Sequence, residues 1–423
     1  MNISSAVAIK ERILVVDDNK ALAKLIAKKM EQNVDMDIVV AHSFNEARDI
    51  IEDNDDFFIA LLDLNLPDAP NGEIVDYVLS KNILVIVLTG SVDKATKDIF
   101  TNKNIVDYVI KSNMNNINYI FDTINRLSKN RDYKVMIVDD STPMRNTIKQ
   151  FLLSQQFKVF AAAHGEEAMN YLADNPDIKL ILTDYDMPVM DGFELMERVR
   201  ENYSKNEMII IAITGDDINS DIGAKFLKNG ANDFIVKPFS KEEFVCRVNN
   251  SIESMENINS MTKLANTDFL SGAYNRRYFY KNMNEYYKEG LGQSFAVAMF
   301  DIDDFKKIND KYGHDIGDLV IQKLSSFLIG GLDENDLVAR FGGEEFCVVL
   351  KNIKFDDAVK KIVSIRAKIA ACLINIKGSD IKFTVSVGIT SGDFSKNIDQ
   401  LISKSDEALY NAKTAGKNRV EIL

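Results

Sequence analysis

The sequence predicts an α/β chain of three bodies: two copies of a doubly wound parallel sheet, then a different α/β body built around an acidic hairpin. Three observations lead there. Short, continuously apolar segments recur in the same order twice within the first 250 residues. Amphipathic stretches such as 21–30 and 144–153 separate them. Beyond residue 266 the repeat stops, and glycine–acid turns take over. A length of 423 residues is too great for one core and suits about three domains. The boundaries read as a tail over 1–11, bodies over 12–128 and 132–250, a helical linker over 251–266 and the last body over 267–423.

The repeat is explicit. Arg12–Asp18 (RILVVDD) returns as Lys134–Asp140 (KVMIVDD), and Leu61–Pro67 (LLDLNLP) as Leu182–Pro188 (LTDYDMP). Val87–Gly90 (VLTG) returns as Ala212–Gly215 (AITG), and Tyr108–Lys111 (YVIK) as Phe234–Lys237 (FIVK). Unbroken apolar strands alternating with helices imply a parallel sheet covered on both faces. Functional groups in such sheets collect at the carboxyl ends of the strands. The repeated polar residues all fall at those ends. Asp17, Asp18 and Asp63, and then Asp139, Asp140 and Asp184, would converge as carboxylate triads suited to Mg2+, a hard cation that prefers oxygen ligands. A carboxylate held there can attack a phosphoryl group and form an acyl phosphate. Lys111 with Thr89, and Lys237 with Thr214, supply a cation and a hydroxyl for the new phosphate oxygens.

These residues resemble the receiver domains of two-component response regulators over roughly 12–250, with a flavodoxin-like fold. The resemblance implies Asp63 and Asp184 as phosphoacceptors and Asp17, Asp18, Asp139 and Asp140 as metal-site acids. Thr89, Lys111, Thr214 and Lys237 are then the switch residues, with Tyr108 and Phe234 as switch aromatics. A cognate histidine kinase or phosphotransfer protein is the implied partner. The second copy follows the pattern more closely, with Lys237-Pro238-Phe239 at its end. The first copy has Ser112 after Lys111, and its Asp63-to-Thr89 interval is four residues shorter than Asp184 to Thr214. A shorter helix in that interval is expected, and one copy is expected to act mainly as a dimerisation adaptor, without the sequence assigning which.

Residues 241–265 contain no proline or glycine. Apolar residues at Val245, Val248, Ile252 and Met255 suit a helix–helix seam, whereas Ile258, Met261 and Leu264 drift off it. A terminal helix packed on its own body fits equally.

The last body opens with Asp268–Arg277 (DFLSGAYNRR), then an apolar strand ending in acids and a basic helix start, Phe295–Asp310 (FAVAMFDIDDFKKIND). Arg340–Phe346 (RFGGEEF) reads as a hairpin tip whose glycines admit a close backbone approach to phosphate. If the two strands lie side by side, Asp301 meets Glu344 and Glu345 in an acidic metal site of the kind used in phosphoryl and nucleotidyl transfer. Asp318, in Tyr312–Asp318 (YGHDIGD), can accept from the N1–H and amino group of guanine, a donor pair adenine lacks. Lys413 and Lys417 flank a glycine turn suited to phosphate tails.

This body resembles a GGDEF-type diguanylate cyclase domain in its Gly-Gly-Glu-Glu-Phe variant, with a cyclase-like α/β fold. The resemblance implies condensation of two GTP into cyclic di-GMP with release of two pyrophosphates, by a homodimer. It assigns Asp301, the Ile302 carbonyl, Glu344 and Glu345 to Mg2+ or Mn2+, with Glu344 also the base. Asn309 and Asp318 would read guanine, and Lys306, Lys413 and Lys417 would hold phosphates. Phe305, His314, Gly342 and Gly343 complete the implied pocket. The family's product-inhibition motif, Arg-x-x-Asp, is here Asp333–Asp336 (DEND), so weak product inhibition is expected.

A formal charge of −13 disfavours nucleic acid or anionic lipid as a partner. No apolar run approaches the roughly 20 residues that span a bilayer, and no basic-then-apolar leader opens the chain, so a cytoplasmic protein without membrane insertion is expected. The widely spaced Cys246, Cys347 and Cys372 read as reduced, buried thiols. The rival reading is a signalling scaffold whose last body binds GTP without turnover.

Overall fold

Four of the five residues of β1 (Arg12–Val16) are buried, and they alternate between two faces. Leu14 and Val16 enter one apolar cluster, Ile13 and Val15 the other. A strand apolar on both sides needs helices above and below, and the chain supplies them. The first body runs β1, α1 (Lys20–Asn33), β2 (Asp37–Ala41), α2 (Phe44–Asp53), β3 (Phe57–Asp63), α3 (Glu73–Ser80), β4 (Leu84–Thr89), β5 (Asp107–Ile110) and α4 (Met114–Asn130). Its strands lie in the order β2-β1-β3-β4-β5, all parallel. The computed structural model describes residues 11–54, 56–90, 103–111, 114–215, 221–289, 294–376 and 379–423. Ser112 lies outside them.

The second body repeats the plan: β6 (Lys134–Val138), α5 (Thr142–Ser154), β7 (Lys158–Ala162), α6 (Gly165–Asp174), β8 (Ile178–Asp184), α7 (Gly192–Arg200), β9 (Ile209–Thr214), α8 (Asp221–Asn229), β10 (Asp233–Val236) and α9 (Lys241–Asn266). Its sheet, β10-β9-β8-β6-β7, has the same topology, again parallel. Both are flavodoxin-like sheets. The helix in the first copy is shorter by one residue, α3 having 8 and α7 having 9, so it accounts for only part of the shorter interval. The connection that follows is the larger contributor, 81–83 against 201–208, partly offset by a longer connection before the helix, 64–72 against 185–191.

The chain divides into two units, Met1–Asn257 and Ile258–Leu423. Within the first, Arg126 of α4 forms a two-pronged ion pair with Glu256 of α9, at 3.0 and 2.8 Å, and Tyr133 donates to the same carboxylate at 2.6 Å. Phe244, Val248, Ile252 and Met255 of α9 are buried in the second body's core, so this part of the helix packs on its own body. Ile258, Met261 and Leu264 are 41, 68 and 78% exposed. Cys347 is buried, but Cys372 is only partly so and Cys246 is exposed, which corrects the expectation of buried thiols.

The second unit comprises β11 (Tyr274–Asn275), α10 (Arg276–Glu289), β12 (Phe295–Ile302), α11 (Phe305–Tyr312), α12 (His314–Gly331), β13 (Leu337–Gly342), β14 (Glu345–Lys351), α13 (Phe355–Ala371), β15 (Ile374–Ile376), β16 (Ser379–Ile381), β17 (Val385–Ser391), α14 (Ile398–Thr414) and β18 (Val420–Ile422). Its six-stranded sheet, β11-β13-β14-β12-β17-β18, is mixed. β12 is central, buried along all eight residues and antiparallel to both neighbours. Phe295, Phe300 and Phe346 anchor the two faces, each contributing about 2–3 kcal/mol of burial. Gly388 of β17 lets α14 lie against the strand backbone. A Cβ there would stand 2.0 Å from the Ser405 carbonyl oxygen and 2.1 Å from the Leu409 nitrogen.

Candidate active site and phosphoacceptor sites

In each flavodoxin-like body the triad forms where the first and third strands of the chain end. Asp17 follows β1 and orients the next turn, accepting from the Asn19 amide at 2.9 Å, and Asn19 caps α1. Asp139 does the same for Ser141, the cap of α5, at 2.8 Å. Asp63 and Asp184 close β3 and β8. One carboxylate oxygen from each of Asp17, Asp18 and Asp63 lies within 4.8 Å of the other two, and the same holds for Asp139, Asp140 and Asp184. Lys111 bridges Asp17 and Asp63 at 2.7 and 2.6 Å; Lys237 bridges Asp139 and Asp184 at 3.1 and 2.9 Å. Their amides donate to the carbonyls of Thr89 and Thr214, which brings lysine and buried threonine to adjoining strand ends. Burial raises the Asp184 carboxyl, with Asp139 adding to the effect against the pull of Lys237. Three hard carboxylate oxygens, partly buried, make a donor set that fits Mg2+. Of the switch aromatics, Tyr108 donates to Glu242 of α9 at 3.2 Å, and Phe234 packs over Gly223.

In the second unit, β12 and β14 lie side by side in the register that sets Asp301 opposite Glu345. Directly opposed residues share one face of a sheet. Asp301 is 5% exposed, and its carboxyl is pushed up to about 6 by burial and by Glu344 and Glu345, against the pull of Lys413. Lys413, at the end of α14, sits 2.8 Å from Asp301 Oδ2, a pairing the sequence reading did not anticipate. Among the described residues, groups of three acids closed to within 4.8 Å are the two receiver-type triads. The Asp301, Glu344 and Glu345 set is more open. Its hard oxygens outnumber the one cation, Lys413, that pairs with them, and still fit a divalent ion.

The hairpin tip is held by Arg340. Its guanidinium donates to the Gly343 carbonyl at 2.9 and 2.7 Å and to Asp268 Oδ1 at 2.8 Å. Burial opposes ionisation of Asp268, yet Arg340 and Ser271 hold its carboxyl below the usual range. Gly343 has φ of +50°, in the left-handed region, whereas Gly342 lies outside it, so the turn requires glycine at position 343. Asn309 of α11 lies against α12, where Gly317 makes room: a Cβ there would be 1.9 Å from Asn309 Oδ1. That oxygen is buried without a hydrogen-bond partner. Asp318, the residue after Gly317, is exposed, as are His314 and Lys306, while Phe305 packs partly into the core. Lys417 pairs with Asp304 at 2.7 Å. Asp333 and Asp336 both accept from Lys361, at 2.7 and 3.0 Å.

Residues 265–419 match the family described as diguanylate cyclase, GGDEF domain, and residues 135–249 match the response regulator receiver domain. A solved two-component system response regulator/GGDEF domain protein is 34% identical, with a TM-score of 0.54, and its whole length aligns with 58% of this chain. The chain belongs to the response regulators that carry a GGDEF domain. The response regulator PleD of Caulobacter vibrioides is 28% identical over 300 residues, 68% of this chain. The chain spans 65% of that relative's length. The diguanylate cyclase DgcM of Escherichia coli is 33% identical over 187 residues, 44% of this chain and 45% of DgcM. The GGDEF domain thus takes in Asp268, Asp301, Asn309, Asp318, Glu344, Glu345, Lys413 and Lys417, and the receiver match takes in Asp139, Asp140, Asp184, Thr214 and Lys237. No helix among the described residues is long and apolar enough to cross a membrane.

Proposed function

We propose that the protein is a phosphorylation-regulated diguanylate cyclase that joins two GTP into cyclic di-GMP and releases two pyrophosphates. The observation that carries the reading is the register of Asp301 opposite Glu345 at the glycine–acid hairpin, with Lys413 on the same carboxylate. A divalent ion held by Asp301, Glu344, Glu345 and the Ile302 carbonyl would supply charge neutralisation at the triphosphate. Asn309 Oδ1 offers its unpartnered acceptor to a guanine donor, and Asp318 offers a carboxylate to the N1–H and amino edge. Phe305 and His314 border that pocket. Gly342 and Gly343 admit the phosphates, and Lys306, Lys413 and Lys417 balance their charge. Glu344 takes the proton of the 3′-hydroxyl as its oxygen bonds to the α-phosphorus of the other GTP and pyrophosphate departs.

One domain presents one pocket, so two copies must face each other, and the product closes by two such transfers. Both flavodoxin-like bodies act as receivers, with Asp63 and Asp184 accepting phosphoryl groups from a histidine kinase or phosphotransfer protein. Asp17 and Asp18, and Asp139 and Asp140, would hold Mg2+, which would supply charge neutralisation for that step. Phosphorylation favours the dimer and raises the effective concentration of the half-sites. Asp333 stands where the family's motif has an arginine, and Lys361 is engaged by Asp333 and Asp336. Lys361 therefore offers no free charge to a dinucleotide's phosphates, and product inhibition through that segment is weak.

The test is chromatographic product analysis after incubating purified protein with GTP and Mg2+, with and without beryllofluoride. Cyclic di-GMP that increases with beryllofluoride is expected. Bound GTP without product at high protein concentration would favour the scaffold reading.

A further inference from the structure

Asp303 lies among the proposed catalytic acids yet turns away from them. It is 7% exposed, and its carboxylate accepts three neutral donors: Thr384 Oγ1 at 2.6 Å, Ser386 Oγ at 2.6 Å and the Asn418 amide at 3.0 Å. Its own amide donates to the Thr384 carbonyl at 2.9 Å. Three segments distant in sequence therefore meet on one buried side chain: the end of β12, the approach to β17 and the loop after α14.

That loop is unusual. Gly416, Lys417 and Asn418 have φ of +115°, +64° and +48°, so two consecutive non-glycine residues occupy the sparsely populated left-handed region. Such backbone persists only where its surroundings over-determine it. The clamps can be named. Asp303 holds the Asn418 amide, while Arg366 Nη1 holds the Asn418 carbonyl at 3.0 Å and its side-chain oxygen at 2.7 Å. The Lys417 amide donates to the Ala412 carbonyl at 3.0 Å. The loop so fixed carries the Lys417 ammonium to Asp304, at the opening of α11.

We infer that Asp303 is a positioning residue: with Ser386 and Thr384 it holds the left-handed Lys417–Asn418 loop so that the Lys417 ammonium meets the triphosphate. The inference rests on the GTP-site reading above. Because Asp303 is satisfied by hydroxyls and an amide, it does not compete with phosphate for Lys417. Its contribution is expressed through substrate binding, and it passes through one lysine.

The experiment is a double-mutant cycle between Asp303→Asn and Lys417→Ala, read as KM and kcat for GTP together with melting temperature. Asparagine keeps the shape but loses an acceptor. A rise in KM of between about tenfold and a hundredfold is expected for Asp303→Asn, with the melting temperature near that of the wild type. The double variant should be no worse than Lys417→Ala alone, because both act on one contact. Losses that multiply, or a lowered melting temperature with KM unchanged, would overturn the inference while leaving the cyclase reading intact. If Asp303→Asn does not fold, Ser386→Ala and Thr384→Val are combined with Lys417→Ala under the same criterion. If the wild type binds without turnover, the cycle is read on affinity for a non-cyclisable α,β-methylene GTP by calorimetry. A wild type that neither turns over nor binds it removes the site and the inference together.

Discussion

The two flavodoxin-like bodies share a sheet topology and a lysine-bridged acid triad, yet the receiver-family match falls on the second. Lys111 spans Asp17 and Asp63 as Lys237 spans Asp139 and Asp184, within a few tenths of an ångström. The divergence lies elsewhere, in the connection after α3 and beyond Lys111. Phosphoacceptor chemistry needs a handful of residues at strand ends, which the sheet itself positions. Family likeness is spread over helices and connections that the chemistry does not use. A body can therefore drift far in sequence while its reactive end stays intact.

The sharpest way to break the comparison is to count phosphoryl groups. Incubation with acetyl phosphate and Mg2+, followed by intact-mass measurement, should show one addition per body. Asp63→Asn and Asp184→Asn should each abolish its own addition completely and leave the other. A wild type that takes up a single group would separate the bodies.

Next in size is the lysine. Lys111→Ala and Lys237→Ala each leave two buried carboxylates facing one another without a cation. Each should cost about 3 kcal/mol in chelator, measured as denaturant midpoint, with much of the loss restored by Mg2+. Equal losses would extend the likeness of the two bodies from geometry to energetics.

A smaller effect distinguishes these triads from the cyclase acids through pH. Burial pushes the Asp301 carboxyl up to about 6 from an ordinary 3.8, so the folded state holds its proton longer. The sign follows: this stabilisation is full below about pH 4 and is lost as pH rises through about 6. Metal-free melting of Asp301→Asn should lack that slope and gain on the wild type above pH 6. Asp184, also raised, should contribute a slope of the same sign.

The smallest concerns the junction of the two bodies. Tyr133→Phe removes one of the donors to Glu256 and should cost about 1 kcal/mol by the same denaturant measurement.

Much of this was legible in the sequence because strand-end motifs are local. The triads, the hairpin and the Asp301–Glu345 adjacency follow from apolar runs that stop at acids. Asp303 was not read, because its partners Thr384, Ser386 and Asn418 are ordinary residues from separate segments. Arg340 and Asp268 were each visible within motifs, but nothing local says that they pair across 72 positions. Lys413 was expected at phosphate, and its contact with Asp301 depends on how α14 lies on the sheet. The interval after Asp63 shows a similar limit: its length is visible in the sequence, but not how the helix and the connections share the difference.

How α14 lies on the sheet is decided by a residue with no side chain. At Gly388 the strand and helix backbones touch, and Lys413 is four residues beyond the contact at Leu409. A helix seated that deeply can neither roll nor slide along β17 without lifting off it. Lys413 therefore behaves as a fixed post rather than a swinging arm, with a flexible tether only as long as its own methylene stem. Any Cβ at position 388 would move the post itself, shifting a charge at the active site by altering a residue that never faces it.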